Sequence, residues 1–318
     1  MELKPLFTKR MKEIFRDEKD YKRYLNTLKT LSPKSLRCNT LKISPKELKK
    51  RLEKKGWKLK QPWKNYPEVM IIENKLKPGE LGRSLEHQIG YYYVQELSST
   101  LPIIALKPKP NETLLDLCAS PGSKTTQAAS KMKNSGTIIA NEVSFGRVPI
   151  LAANLERCGV TNTLIIKKDG IALCKRMKER GYFFDNILVD APCSGEGTLR
   201  STPRTCKMWN INTIKQLSNL QKKLLEKIFS VLNVGGEMIY STCTHAPEEN
   251  EAVVDWFLKE FKDKIEIQKV TLPLKSREGI TEWQGNKFSQ KVKQCHRIYP
   301  QDNNTEGFFL AKFRKVGE

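Results

Sequence analysis

The run Thr113-Leu114-Leu115-Asp116-Leu117-Cys118-Ala119-Ser120-Pro121-Gly122-Ser123-Lys124 decides the fold. Its first half reads as a short apolar strand over Thr113–Cys118. Its second half consists of small residues and a glycine, and a helix is expected over Lys124–Met132. Such a turn lets a ligand approach the backbone closely, and the helix that follows offers unpaired N–H groups. The run matches neither G-x-G-x-x-G nor G-x-x-x-x-G-K-[ST], which argues against a dinucleotide or ATP phosphate cradle.

The same alternation continues outward. Thr137–Glu142, Thr163–Lys167, Phe184–Asp190 and Met238–Thr242 read as strands. Arg147–Cys158 reads as a helix closed by Gly159. A longer amphipathic helix is marked by Ile214, Leu217, Leu224, Leu225, Ile228 and Leu232, and Gly235-Gly236 is expected to end it. Repeated β-α-β units with fully apolar strands predict a mostly parallel sheet covered by helices on both faces. Ligands of such sheets bind beyond the carboxyl ends of the strands. Asp116, Glu142, Asp169 and Asp190 stand at or near four successive strand ends, so one rim collects carboxylates. Glu142 is placed to accept hydrogen bonds from ribose hydroxyls. That set suits a ligand with hydroxyls, an exocyclic amine and a cationic centre, and S-adenosylmethionine is such a ligand.

The N-terminal part has another character. The chain of 318 residues carries a formal net charge of +22, and residues 1–64 hold 21 Lys/Arg against 7 Asp/Glu. Residues 1–32 read as helical, and Ser32-Pro33 breaks the pattern. Leu36–Leu41 and Val69–Ile72 read as strands around a helix that Ser44-Pro45 opens and Gly56 ends. Tyr91–Leu106 reads as an aromatic and apolar connector, and Lys107-Pro108-Lys109-Pro110 as a rigid boundary. The expected domains are therefore a basic α/β module over 1–107 and a catalytic domain over 108–318. Basic residues interleaved with Trp57 and Trp63 suit a polyanion whose bases can stack, hence RNA. A solvated lysine-rich face is the plainer reading of the same charges.

Several classes are excluded. No apolar run reaches the length of a membrane span, and Met1-Glu2-Leu3-Lys4-Pro5 lacks the apolar core of a signal peptide. A soluble, cytoplasmic protein is expected, and a monomer. The eight cysteines include no C-x-x-C pair and only three histidines accompany them, so no metal site is expected.

Two cysteines stand apart from the rest. Asp190-Ala191-Pro192-Cys193-Ser194-Gly195 follows one expected strand, and Ser241-Thr242-Cys243-Thr244, with Pro247-Glu248-Glu249-Asn250-Glu251, follows the next. With the Asp116–Lys124 loop, Arg37-Cys38-Asn39-Thr40-Leu41, Gln95-Glu96-Leu97-Ser98-Ser99 and Arg297-Ile298-Tyr299-Pro300 followed by Gly307-Phe308-Phe309, these runs resemble the Nop/Sun family of RNA 5-methylcytosine methyltransferases. The resemblance covers nearly the whole chain from about residue 36. It implies a class I, Rossmann-like methyltransferase fold with a seven-stranded sheet, and S-adenosylmethionine as methyl donor. Cytosine C5 is too weak a nucleophile alone, and a thiolate adding at C6 makes it enamine-like. By resemblance Cys243 is that nucleophile and Cys193 assists release of product. Asp190 would hydrogen-bond the base at N3, and Lys124 would favour the thiolate.

The resemblance also implies a donor site. Cys118, Ala119, Ser120, Pro121, Gly122, Ser123 and Lys124 would surround the methionine moiety. Glu142 would hold the ribose, Asp169 the adenine amine, and Asp190 both cofactor and base. Arg147 would pair with Glu142 or reach the cofactor, and a plain surface arginine fits equally well. Ser120 and Ser123 replace residues common in the family's loop, and Gln301 stands where many members have histidine. Thr198–Trp209, with Arg200, Arg204, Lys207 and Trp209, is expected to overhang the base pocket. The chain resembles archaeal tRNA methyltransferases of the family more than bacterial ribosomal ones, so tRNA is the expected substrate. Ribosomal RNA, or a non-catalytic RNA-binding role on the same fold, are the alternatives.

Overall fold

The computed structural model describes residues 3–318, so Met1 and Glu2, at the start of the stretch read for a signal peptide, lie outside it. A small antiparallel sheet is formed by Ser35–Cys38 (β1), Leu59–Lys60 (β2), Val69–Ile72 (β3) and Tyr92–Val94 (β4), in the order β2-β3-β1-β4. Its covering helix, Pro45–Glu53, starts as the sequence predicts. The Ser44 side chain accepts from the Glu47 N–H at 3.2 Å, and Pro45 occupies the first turn. Leu48 and Leu52 on this helix are buried against Leu36, Met70 and Tyr92.

The expected connector over 91–106 is more structured than its sequence suggests. It supplies β4 and then the fully buried helix Leu101–Leu106. That helix lies in a core that includes Trp63 and Val69 on one side and Ile239, Ile298 and Leu310 on the other. Its apolar residues therefore fill the seam between the two sheets. The helical stretch that precedes Ser32 is two helices, Pro5–Phe15 and Glu18–Leu28, broken where Arg16 takes a φ of 58°. They do not pack on the small sheet. Phe7, Met11, Phe15 and Tyr24 are buried with Leu199, Trp209, Ile214 and Tyr299 from the second half.

The large sheet contains Thr113–Asp116 (β5), Thr137–Asn141 (β6), Thr163–Ile166 (β7), Phe184–Asp190 (β8), Leu232–Thr242 (β9), Ile265–Gln268 (β10), Arg277–Glu278 (β11), His296–Ile298 (β12) and Phe308–Lys315 (β13). The first five are parallel, in the order β7-β6-β5-β8-β9, and β13 runs antiparallel beside β9. Among the described residues nine strands stand in this sheet where seven are expected. The cause is the length of β13: its outer edge pairs with β10 over Lys312–Lys315 and with β12 over Phe308–Leu310. Two-residue β11 then adds to β12.

Gly235-Gly236 does not end the long helix. Ile211–Phe229 stops at Phe229, and β9 is already extended from Leu232. The two glycines sit where the β8–β9 register shifts between Phe184 and Asn186, with Gly235 at φ 85°. A side chain on Gly236 would come within 3.0 Å of the Asp185 carbonyl oxygen. The pair therefore serves the bulge, which glycine permits in either conformation. No helix among the described residues is long and apolar enough to cross a membrane.

Candidate active site

The carboxyl ends of β8 and β9 are neighbours because the strands are paired in parallel, Asp190 opposite Ser241. The turns that follow bring Cys193 and Cys243 together, Sγ to Sγ 3.3 Å, and the Cys243 N–H points at Cys193 Sγ, also at 3.3 Å. The Cys243 hydrogen bond and then burial raise the Cys193 thiol well above its ordinary value. Cys193 therefore keeps its proton and can donate it toward the Cys243 sulfur.

Both turns are tightly held. Glu249 accepts from the Ser194 N–H at 3.0 Å and from Gln221 Nε2 at 3.0 Å, while Gln221 also donates to the Pro192 carbonyl at 2.9 Å. Burial pushes the Glu249 carboxyl up to about 7. The Cys243 carbonyl accepts from the Gly197 N–H at 2.9 Å, and the Gly197 carbonyl accepts from the Gly307 N–H at 2.8 Å. A Cβ on Gly197 would lie 2.4 Å from the Gly307 oxygen, so only glycine lets these three backbones meet.

Asp190 sits between two donors. Lys124 Nζ reaches Oδ2 at 2.7 Å, and Ser241 Oγ donates to Oδ1 at 2.8 Å. Lys124 also donates to Ser99 Oγ at 3.0 Å and lies over the Phe308 ring, 5.6 Å from its centroid.

Two cavities open here, and they share a wall. One, of about 280 Å³, is lined by Cys118, Ser120, Glu142, Arg147, Asp169, Cys193 and others. The second, of about 400 Å³, is lined by Lys124, Ser99, Glu96, Glu306, Phe308 and residues 32–35 among others. Asp190 and Cys243 line both. The first cavity carries acceptors for a hydroxyl-rich, amine-bearing ligand: the carboxylates of Glu142, Asp169 and Asp190, and Asn141 Oδ1, which is buried without a hydrogen-bond partner. The chemistry of this set fits S-adenosylmethionine. Of the alternatives open for Arg147, the structure has the ion pair, 3.3 Å from the buried Glu142 carboxylate, with Arg147 also lining the cavity.

The loop at 118–124 divides its work. Cys118 and Ser120 reach the cavity. Ala119 ties its N–H to the Asn141 carbonyl, Gly122 at φ 101° turns the chain, and the Ser123 carbonyl accepts from Arg37. Pro121 is exposed, and Lys124 faces the second cavity instead of the first.

Other expected residues lie elsewhere. Asp116 is not on the rim: it is buried, bound by the Thr125 hydroxyl at 2.7 Å, and burial pushes its carboxyl up to about 7. Its side chain follows the pleat into the interior while the neighbouring strand-end acids face the cavity. Trp57 and Trp63 offer no stacking surface, since both are core residues, and Trp57 Nε1 donates to Glu80. In the segment after Cys193, Arg200 and Trp209 are buried as well. Arg200 donates to the carbonyls of Thr30, Leu31 and Thr305, and Trp209 to Glu196 at 2.7 Å. Arg204 and Lys207 are exposed. Ser241, Ser99, Gln221 and Glu249 escaped assignment, although Ser241, Ser99 and Glu249 lie inside the motifs named above. No metal-binding cluster of His, Cys, Asp or Glu occurs among the described residues.

A model described as 16S rRNA methyltransferase RsmB/F matches residues 103–314, and one for the N-terminal domain of 16S rRNA methyltransferase RsmF matches residues 3–97. The chain is 42% identical over 299 residues to the tRNA (cytosine(49)-C(5))-methyltransferase of Pyrococcus abyssi, covering 94% of this chain and 92% of that one. It is 40% identical over 292 residues to the ribosomal RNA small subunit methyltransferase F of Vibrio cholerae, covering 89% of this chain. It spans only 58% of that bacterial relative's length. Among solved structures, a methyltransferase homologue from Pyrococcus horikoshii is 34% identical, with a TM-score of 0.80 over 98% of this chain and 100% of the other.

Proposed function

Because the chain belongs to the RsmB/F family of RNA cytosine-C5 methyltransferases, we propose that it methylates cytosine C5 in tRNA through a covalent adduct on Cys243. S-adenosylmethionine, when bound, supplies the methyl group. The observation that carries this reading is the wall shared by the two cavities. Asp190 and Cys243 border both, and the second thiol of Cys193 is 3.3 Å from the first. A sulfur standing between a space lined with acceptors for the cofactor and a second open space that can admit a base is what methyl transfer to an activated ring requires.

In this reading Glu142 binds the ribose hydroxyls, with Arg147 fixing its carboxylate, and Asp169 accepts from the adenine amine. Cys118 and Ser120 border the methionine moiety, while the rest of the 118–124 loop holds the turn. Asp190 and Lys124 stand side by side at the base edge: the Asp190 carboxylate accepts from N3–H once N3 takes up a proton as the adduct forms, and Lys124 donates to the adjoining carbonyl. The Cys243 thiolate adds at C6, and electron density moves to C5, which takes the methyl group. Transfer of the C5 proton to solvent admitted by the open second cavity then restores the double bond and expels the thiolate. The Cys193 S–H hydrogen-bonds the Cys243 sulfur and stabilises it as a leaving thiolate. Unstacking of the target base is required for it to enter the second cavity.

Residues 1–107 are assigned to RNA binding and 108–318 to catalysis. Lys46, Lys50, Arg51, Lys54, Lys58, Lys60 and Lys64 are exposed, as groups that neutralise phosphates need to be. Transfer RNA is favoured over ribosomal RNA because the match runs along nearly the whole of the archaeal tRNA enzyme. Bisulfite sequencing of purified tRNA and small-subunit rRNA after incubation with enzyme and donor tests both assignments. New 5-methylcytosine in tRNA alone supports the reading, modification of rRNA alone replaces the substrate, and modification of neither refutes the reading.

A further inference from the structure

The second cavity contains an acid that the reaction scheme above does not use. Glu306 is 5% exposed and lines this cavity together with Cys243, Asp190 and Lys124. Its Oε1 accepts from Ser32 Oγ at 2.7 Å, while Oε2 is buried near Ser201 without a well-formed hydrogen bond. A buried carboxylate oxygen left without one is unfavourable by about 1–3 kcal/mol, and native proteins rarely tolerate this without a use.

The backbone around it is unusually fixed. The Glu306 N–H donates to Glu96 Oε1 at 3.0 Å, and the Gly307 N–H to the Gly197 carbonyl at 2.8 Å. The Thr305 carbonyl accepts from Arg200 Nη1 at 2.8 Å, and Arg200 also binds the Asn304 side chain. This explains the buried arginine: it anchors the segment that carries the acid. Burial raises the Glu306 carboxyl above the ordinary glutamate value, with Ser32, Ser201 and Arg200 offsetting part of the effect.

Resting on the assignment of Cys243 as nucleophile, we infer that Glu306 is a specificity residue whose Oε2 accepts a hydrogen bond from the exocyclic amine of the target cytosine. Uracil presents a carbonyl oxygen at the same place, and two acceptors facing each other repel. A site built around such a bond rejects the analogue that lacks the donor far more strongly than shape alone could.

The test is covalent trapping on the full-length enzyme with donor present. RNAs carrying 5-fluorocytidine or 5-fluorouridine at the target position are compared, since fluorine at C5 prevents proton loss and leaves the adduct intact. Native enzyme should trap the cytidine RNA and largely ignore the uridine RNA. In Glu306→Gln the amide can donate to the uracil oxygen, and the cytidine-to-uridine trapping ratio should fall at least about tenfold. Glu306→Ala should also lower it. The ratio compares two RNAs on one protein, so a partly unfolded variant does not disturb it. An unchanged ratio in both variants overturns the role of Glu306 alone. Failure of native enzyme to trap 5-fluorocytidine RNA overturns the Cys243 assignment, and this inference with it.

Discussion

Replacing Gly197 by alanine would test whether the meeting of three backbones beneath Cys243 is what positions the sulfur. The added Cβ would stand 2.4 Å from the Gly307 oxygen, 2.7 Å from its carbonyl carbon and 2.9 Å from the Cys243 oxygen, whereas ordinary contact begins at 3.4 Å. The chain at Gly307 or Cys243 must therefore retreat by about 1 Å, all of it backbone with no flexible end to swing aside. Two hydrogen bonds are lost or stretched, from the Gly197 N–H to Cys243 and from the Gly307 N–H to Gly197. At about 1 kcal/mol net each, and more where a group is left buried and unpaired, the variant should lose about 2–4 kcal/mol of stability. A displacement of about 1 Å at a reacting atom lowers a rate by about 100-fold. Donor affinity should hold, because Cys118, Glu142 and Asp169 stand at the ends of β5, β6 and β7, away from this junction. Thermal melting, calorimetric titration of the donor and methyl incorporation into tRNA measure the three quantities. Gly82→Ala, where no atom lies within 4 Å of the new Cβ, serves as the control. Near-native methylation by Gly197→Ala would refute the argument that this junction aligns Cys243.

Glu249 should shape the pH dependence of stability. Its carboxyl is raised from 4.5 to about 7, so the folded state holds a proton that the unfolded state releases between those values. The stabilising contribution is complete below about 4.5 and is lost as pH rises through 7. Melting temperatures of Glu249→Gln should fall less than those of the native protein between pH 5 and 8, and parallel curves would contradict this. Lys50, Lys54 and Lys58 are exposed on the basic module. Changing all three to glutamine should raise KM for tRNA with little effect on kcat. The log–log salt dependence of binding should flatten by about 0.9 for each phosphate no longer neutralised. An unaltered salt slope would place the RNA on another face.

The catalytic half was legible because its central parallel strands carry short apolar runs, so that Ile187-Leu188-Val189 marked the strand Phe184–Asp190 and the acid at its end. Chain order then placed Cys193 and Cys243 after adjacent strands. What a strand end faces was not legible: Asp116 and Asp190 look alike in sequence, yet one is bound to Thr125 inside and the other borders both cavities. The basic, aromatic segments misled for a related reason. Trp57, Trp63, Arg200 and Trp209 are residue types suited to RNA recognition, and equally to a buried ring or a guanidinium satisfied by carbonyls. Only tertiary partners such as Glu80, Glu196 and Thr305 separate the two. Gly235-Gly236 failed as a stop signal because glycine serves a bulge as readily as a helix end.

The measurement that bears most directly on the account is the location of the covalent bond. Cys193→Ala enzyme, incubated with donor and substrate RNA, should accumulate a complex that survives denaturing electrophoresis. After nuclease and protease digestion, mass spectrometry should find the methylated pyrimidine on the peptide containing Cys243, and Cys243→Ala should form no complex. Attachment at any other residue, or full methylation by Cys243→Ala, would contradict the central claim.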